Sequence, residues 1–415
     1  MPERRKIQFR GVTGSQRLDA AIMKKQVSVD QLKYGVYVNE LDRPWTETPF
    51  MYQGFVINSE AQLQALKKYC KKVIIDTDKG DDVAALQPFD GGARGASVLE
   101  AIKERTTYEE KIQVTEELPA AREARSELTL VLNDVFGSIR AGRALDAPRV
   151  REAVTNMTDS VVRNPDAMLL LSRMKEASAN TLDRAMSVSI YLITFGRFLA
   201  LPREQIDLLG MLGLLQDVGK LRLPVTLLNK TEPLSDYERD LCKTHVAHSV
   251  DILEKTSGLP RELPALAALH HERLDGSGYP KGLKGAQIGL FGSMAGLIDS
   301  FDAMTELRPY APALAPAAAL RVFYDERDRT FDGPLVEQFI QCIGTYPVGA
   351  IVELHSSEIA IVIARNPRLK LFPRVMVILD VHRNKLKTPK IIDQAGIKRT
   401  LPKGSIEIDP AEYFI

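Results

Sequence analysis

Along this chain the spacing of apolar residues passes from strand-like to helical and back to strand-like. Over 27–78, VSVDQLKYGVYVNEL and GFVINSEAQLQALKKYCKKVIIDT combine short alternating runs with a stretch where Leu63, Leu66 and Tyr69 recur at helical spacing. KVIID at 72–76 has the unbroken apolar character of a short buried strand. This predicts a small α+β domain over 27–80. Residues 79–98 contain KGDD and FDGGARGAS, a glycine- and aspartate-rich loop or linker. The stretch 81–148 is expected to be that linker followed by a charged helix. From Arg149 to Gly344 the pattern predicts helices at 150–162, 165–179, 182–199, 203–215, 236–255, 261–271, 289–304 and 315–325. Asn164-Pro165 fits a cap followed by proline in the first turn, and Ser235 with Glu238 fits a capping box. Beyond Tyr346, YPVGAIVELH, EIAIVIAR and RVMVILDV are β-branched runs separated by turn residues. The expected fold class is mainly α. A helical bundle over 149–345 carries the α+β domain before it and a β-rich appendage over 346–415 after it.

Composition narrows the function classes. A formal net charge of +1 supplies no basic field for nucleic acid. Three scattered cysteines argue against a disulfide framework and fit a reducing cytoplasm. None forms a CxxC pair, so a cysteine zinc site is not expected. No apolar run approaches the roughly 18 residues that span a bilayer, since Gly196 and Arg197 break the best candidate. Residues 1–26 read as a disordered tail, and Met23 offers a second start beside Met1. Trp45, Phe50, Tyr52 and Phe55 in WTETPFMYQGF are expected to form a small core.

The chain has six histidines, and two are adjacent, His270 and His271 in HHERLDGSGYPKGLKG. Imidazole is the commonest protein metal ligand, and carboxylates complete such sites for hard divalent ions. A His-His pair alone more often decorates a helix end. Glu272 and Asp275, followed by Gly276, Gly278, Tyr279 and Pro280, strengthen the signal, because that backbone must turn sharply and can approach a ligand closely. Upstream, LLQDVGKLRLP ends an apolar helix with Asp217 and Lys220 three apart, on one face. The alternative there is a solvated helix terminus. His245 lies in KTHVAHS on the next helix. Asp302 in LIDSFDAMTELRPY must be paired or ligating if it is buried; otherwise Asp299 and Asp302 lie on a wet face.

Taken in order, QD-x-x-K, K-x-H, HHE-x-x-DG-x-GYP and D-x-FDA-x-T-x-x-RPY resemble the HD-GYP family, a subgroup of the helical HD phosphohydrolases. The strongest match covers about 175–345. The segments before and after it resemble the small domain and the β tail that accompany such modules. The resemblance implies a metal-dependent phosphodiesterase for cyclic-di-GMP with iron or manganese. Two-metal sites of this kind stabilise both the attacking and the leaving oxygen. Carried over by position, the implied ligands are Asp217, His245, His270, His271 and Asp302. Lys220 faces the phosphate, and Arg308 belongs to the substrate region. The GYP loop implies GGDEF-type diguanylate cyclases as partners.

The sequence also departs from that pattern. The name-giving dyad reads Gln216-Asp217, an earlier histidine position falls on Met186, and Ala311 and Leu314 stand where an arginine and a lysine are usual. Ser249 replaces a frequent glycine. A neutral amide and a thioether suit a hard ion less well than imidazole does. The expectation is therefore one bound ion rather than two, and a weak or inactive phosphodiesterase acting through nucleotide binding or protein contact. The alternatives are a slow phosphodiesterase giving pGpG or GMP, and a phosphohydrolase for another nucleotide.

Overall fold

A computed structural model describes residues 24–32, 35–43, 48, 50, 54–57, 60–76, 97–173, 181–306, 313–366, 369, 371–402 and 406. The chain divides into two compact units, Met1–Gly92 and Ala93–Ile415. In the first, strands β1 (Lys24–Ser28), β2 (Tyr37–Leu41), β3 (Phe55–Val56) and β4 (Lys72–Asp76) form one antiparallel sheet in the order β1-β4-β2-β3. Helix α1 (Glu60–Tyr69) contributes Leu66 to a core with Val36, Val38, Ile57, Val73 and Ile75, all essentially inaccessible. Val27 pairs with Val73 and Gln26 with Ile74, so the period of two puts alternate residues inside. Phe50 and Phe55 lie 4.7 Å apart, centroid to centroid. Trp45 and Tyr52 lie outside the described residues, as do 1–23 and most of the glycine-rich stretch.

The second unit is helical until its last strands. Helices α2 (Val114–Arg140), α3 (Ala147–Arg163), α4 (Pro165–Arg173), α5 (Thr181–Phe198) and α6 (Arg203–Leu215) pack successively on one another. Helix α2, expected as a charged helix beside the linker, packs on α3 and α4. Its Ala121, Ala124, Leu128, Val131 and Val135 form a buried stripe at spacings of three and four. Glu117, fully buried on the same helix, accepts two hydrogen bonds of 2.8 Å from Arg163, the bidentate geometry that makes a buried carboxylate tolerable. The charged helix expected beside the linker therefore packs its apolar stripe against the bundle.

The remaining helices are α7 (Val225–Leu228), α8 (Asp236–Lys243), α9 (His245–Glu254), α10 (Leu263–Ala267), α11 (Gly289–Thr305), α12 (Pro316–Asp325) and α13 (Gly333–Ile343). The single helix expected over 236–255 is two, parted at Thr244, and that over 261–271 shrinks to α10. α13 has no counterpart among the expected elements. Asp332 caps it by accepting from Leu335 N, and also accepts from Ser97 Oγ. Strands β5 (Ile351–Leu354), β6 (Ile359–Ala364), β7 (Arg374–Leu379), β8 (Lys385–Ile392) and β9 (Ile397–Leu401) make an antiparallel sheet ordered β8-β7-β6-β5-β9. It is pinned to the helices by Arg365, whose backbone and side chain both donate to Asp166 of α4.

Candidate metal centre

α6 stops at Leu215, and Val218–Arg222 forms a 3-10 turn directly behind it. Residues three apart eclipse in such a turn. Lys220 Nζ therefore lies 2.6 Å from Asp217 Oδ2. The turn is pressed against α9. A Cβ on Gly219 would lie 2.0 Å from His245 O and 2.4 Å from Ser249 N, so only glycine permits the approach. Ser249 Oγ accepts from Gly219 N at 2.9 Å, giving this serine a structural task that the sequence did not suggest. The effect is to bring Asp217 face to face with His245.

His270 arrives from the turn after α10. Its Nδ1 lies 2.7 Å from Ala267 O, and His245 Nδ1 lies 2.7 Å from Cys242 O. Each Nδ1–H thus donates to a carbonyl three residues back. That fixes the tautomer and leaves both Nε2 atoms as bare acceptors. These two Nε2 atoms lie 3.4 Å apart, and 3.2 and 3.4 Å from Asp217 Oδ1. Three lone-pair donors converge with no hydrogen between them, and Asp217 Oδ1 is buried without a hydrogen-bond partner among the described residues. With His271, donor atoms of four side chains lie within 4.8 Å of one another. Mutual repulsion of lone pairs in a buried place costs energy unless a cation lies among them. Three imidazoles and one carboxylate are a donor set that could hold a divalent transition-metal ion.

Electrostatics agree with this geometry. Burial acts to raise the Asp217 carboxyl, but the Lys220 ammonium beside it outweighs burial and holds the group well below its ordinary value. Burial, then His270 beside it, lowers His271 to about 2, so that ring is a neutral donor. Tyr279 stacks on His271 at 4.6 Å between centroids and 28° between planes.

The HHERLDGSGYP loop is braced from within. Glu272, 4% exposed, accepts from Lys281 N at 2.8 Å and Leu283 N at 2.9 Å, so it ties the loop shut rather than facing a ligand. Asp275 accepts from Ser277 N and Ser277 Oγ, closing an Asx turn at the exposed tip. Gly276 has φ +82°, and a Cβ on Gly278 would sit 2.4–2.5 Å from the backbone of His271, Glu272 and Arg273. The Tyr279-Pro280 bond is cis. Arg273 donates to His270 O and Ser300 Oγ, linking the loop to α11.

One expectation changes. Asp302 is buried, 1% exposed, but stands outside the four-donor group: its Oδ2 accepts from Arg184 Nε at 3.1 Å. The alternative of a wet face for Asp299 and Asp302 does not hold, since Asp299 is also buried and accepts from Arg184 Nη2 at 2.9 Å. Burial raises Asp299, but Arg184 outweighs it and brings the group down to about 2. For Asp302 burial prevails over Arg184 and raises it to about 6. Met186 is not the α5 side chain that reaches these carboxylates. Its Sδ lies 3.6 Å from Thr129 Oγ1 on α2, and two residues along a helix turn a side chain through about 200°. Arg184 is the residue the sequence reading missed, and its signal was the i, i+3 pair Asp299 and Asp302 awaiting a cation. Gln216 is buried with neither amide atom hydrogen-bonded among the described residues. Arg308 and Ala311 lie outside the described residues; Leu314 is exposed.

The sequence matches the family described as Domain of unknown function (DUF3391) over residues 24–150 and that described as HD domain over 167–335. It is 32% identical over 376 residues to a cyclic di-GMP phosphodiesterase of Pseudomonas aeruginosa, covering 90% of this chain and 89% of that protein. A cyclic di-GMP phosphodiesterase response regulator of Xanthomonas campestris is 36% identical over 144 residues, 34% of this chain and 38% of that one. A 3'3'-cGAMP-specific phosphodiesterase of Vibrio cholerae is 32% identical over 181 residues, 44% of this chain and 39% of that one. Among the described residues no helix is long and apolar enough to cross a membrane. Loop, donor cluster and near full-length similarity together place the chain in the HD-GYP family of HD-domain proteins, among relatives that are cyclic di-GMP phosphodiesterases.

Proposed function

We propose that this chain is a degenerate HD-GYP protein of cyclic-di-GMP signalling that holds one metal ion and turns over its nucleotide weakly or not at all. The observation that carries this reading is the convergence of bare acceptors from Asp217, His245 and His270 with His271, beside carboxylates already occupied by Arg184. Asp217, His245, His270 and His271 would hold the ion, which is iron or manganese by the family resemblance. When bound, it supplies Lewis-acid polarisation of a phosphoryl oxygen and acidifies water. Lys220, next to Asp217, contributes a positive charge on the side where a phosphate would lie. Tyr279 and His271 offer a stacked aromatic wall beside it. A site built for two ions that holds one loses charge stabilisation of one reacting oxygen, a loss on the order of 10²–10³ in rate.

The intact, internally braced loop from Gly276 to Pro280 supports action by contact, with GGDEF-type cyclases as the implied partners. A second reading, a slow but real phosphodiesterase giving pGpG or GMP, is favoured by the 32% identity over nearly the whole Pseudomonas protein. The nucleotide is cyclic-di-GMP or, given the Vibrio relative, a related cyclic dinucleotide. The test is anaerobic loading with iron(II) or manganese(II), followed by calorimetric binding and chromatographic product analysis for cyclic-di-GMP and 3'3'-cGAMP. Binding with little or no product supports the first reading. Rapid conversion that His270→Ala abolishes establishes the second. If the intact chain shows no nucleotide binding and no capture of a GGDEF protein, the proposal is defeated.

A further inference from the structure

Arg184 projects from α5 toward α11 and meets Asp299 and Asp302, which stand one helical turn apart on the same face. Both carboxylates are almost wholly buried, at 4% and 1% exposure, and among the described residues Arg184 is their sole ion-pair partner. α11 packs against the four-donor group: a Cβ on Gly296, one turn before Asp299 on the same face, would lie 3.0 Å from His270 O, and the charge of Asp217 acts on the same guanidinium. Two buried carboxylates facing one cation, adjacent to three imidazoles and a third carboxylate, have the charge layout of a centre with room for two cations. Here one of the two is covalently part of the chain. Guanidinium is planar, weakly hydrated and permanently charged, which makes it the side chain best able to live in such a place. Its Nε and Nη2 are spent on the carboxylates. Nη1 makes no hydrogen bond to a described residue, and the side chain as a whole keeps 23% exposure.

We infer that Arg184 is a built-in substitute for a second metal ion: it occupies Asp299 and Asp302, prevents a divalent ion from binding there, and presents its remaining N–H groups to an anionic phosphoryl oxygen. The inference rests on the reading of the neighbouring group as a metal centre, and it explains why that centre is mononuclear. Met186 and Gln216 are lost donors by sequence comparison alone, whereas Arg184 is a positive charge standing in the way.

The test is manganese per chain, measured by mass spectrometry after anaerobic loading and desalting, with electron paramagnetic resonance to separate isolated from exchange-coupled ions. Arg184→His removes the fixed charge and sets an imidazole against Asp299 and Asp302, a donor set able to bind a divalent ion. Its content should exceed that of the wild type by about one ion, with a coupled signal. Arg184→Lys keeps the charge and should match the wild type. Should Arg184→His fail to fold by circular dichroism, Arg184→Gln, uncharged and of similar size, is read in the same way. No gain in the uncharged variants, or a gain in Arg184→Lys, overturns the inference. So does a wild type that holds two coupled ions with Arg184 in place. A wild type with no ion defeats the metal-centre reading, while the gain on removing Arg184 still decides the inference by itself.

Discussion

Gly219→Ala places one methyl group where the 3-10 turn meets α9, and the structure fixes how much must move. The new Cβ would lie 2.0 Å from His245 O and 2.4 Å from Ser249 N, against an ordinary contact that begins at 3.4 Å. Both neighbours are backbone atoms, so no rotamer change relieves the overlap; turn and helix must separate by more than an ångström. Overpacking of this kind costs about 1–3 kcal/mol, and more where backbone must shift. The chemical consequence is sharper than the energetic one. His245 is carried by α9 and Asp217 by the turn, and a metal site tolerates only about ±0.2 Å in its ligand distances. Gly219→Ala should therefore lose the ion as well as stability. Ser249→Ala is the control: it removes the 2.9 Å hydrogen bond to Gly219 N and leaves a buried N–H unsatisfied, costing about 1–3 kcal/mol with no steric push. Urea unfolding and metal content, measured on the same preparations, separate the two. The reasoning fails if Gly219→Ala keeps both its full metal content and its midpoint, or if Ser249→Ala sheds metal equally.

Other outcomes follow from the same geometry. His270→Ala should lose metal, and chelation should lower the melting temperature of the wild type but not of the variant; an ion at a hundredfold excess over its Kd stabilises by about 2.7 kcal/mol. Glu272→Ala strips two backbone N–H groups of a charged acceptor and should loosen the loop by about 3 kcal/mol, seen as limited proteolysis between 276 and 284 that is absent in the parent. Arg365→Ala leaves Asp166, with 6% of its side chain exposed, without its charge partner. It should cost about 3 kcal/mol in urea unfolding with metal content unchanged; a loss below about 1 kcal/mol would show that the sheet is not held by this pair.

Much of this protein is legible in its sequence, because local periodicity writes itself into the chain. The helices from 150 to 215, the strands β5 to β7 and the strand-and-helix pattern before residue 77 follow from apolar spacing and caps, whereas β8 and β9 have no counterpart in the apolar pattern. The HHERLDGSGYP segment marks a candidate metal-ligand site by its paired imidazoles, carboxylates and glycine turn, and its resemblance to the HD-GYP family implies the chemistry. Tertiary structure decided what depends on contacts between distant elements. Whether the charged helix over 114–140 is a linker or a wall depends on which face finds α3 and α4, and charge content does not tell. Whether Asp302 ligates an ion or pairs with a guanidinium depends on how α5 is rotated against α11; a shift of two residues exchanges Arg184 for Met186 across the helix. The role of Ser249 exists only because Gly219 lets two backbones touch. Periodicity sets which side chains leave a helix on the same face, but packing alone sets what that face meets.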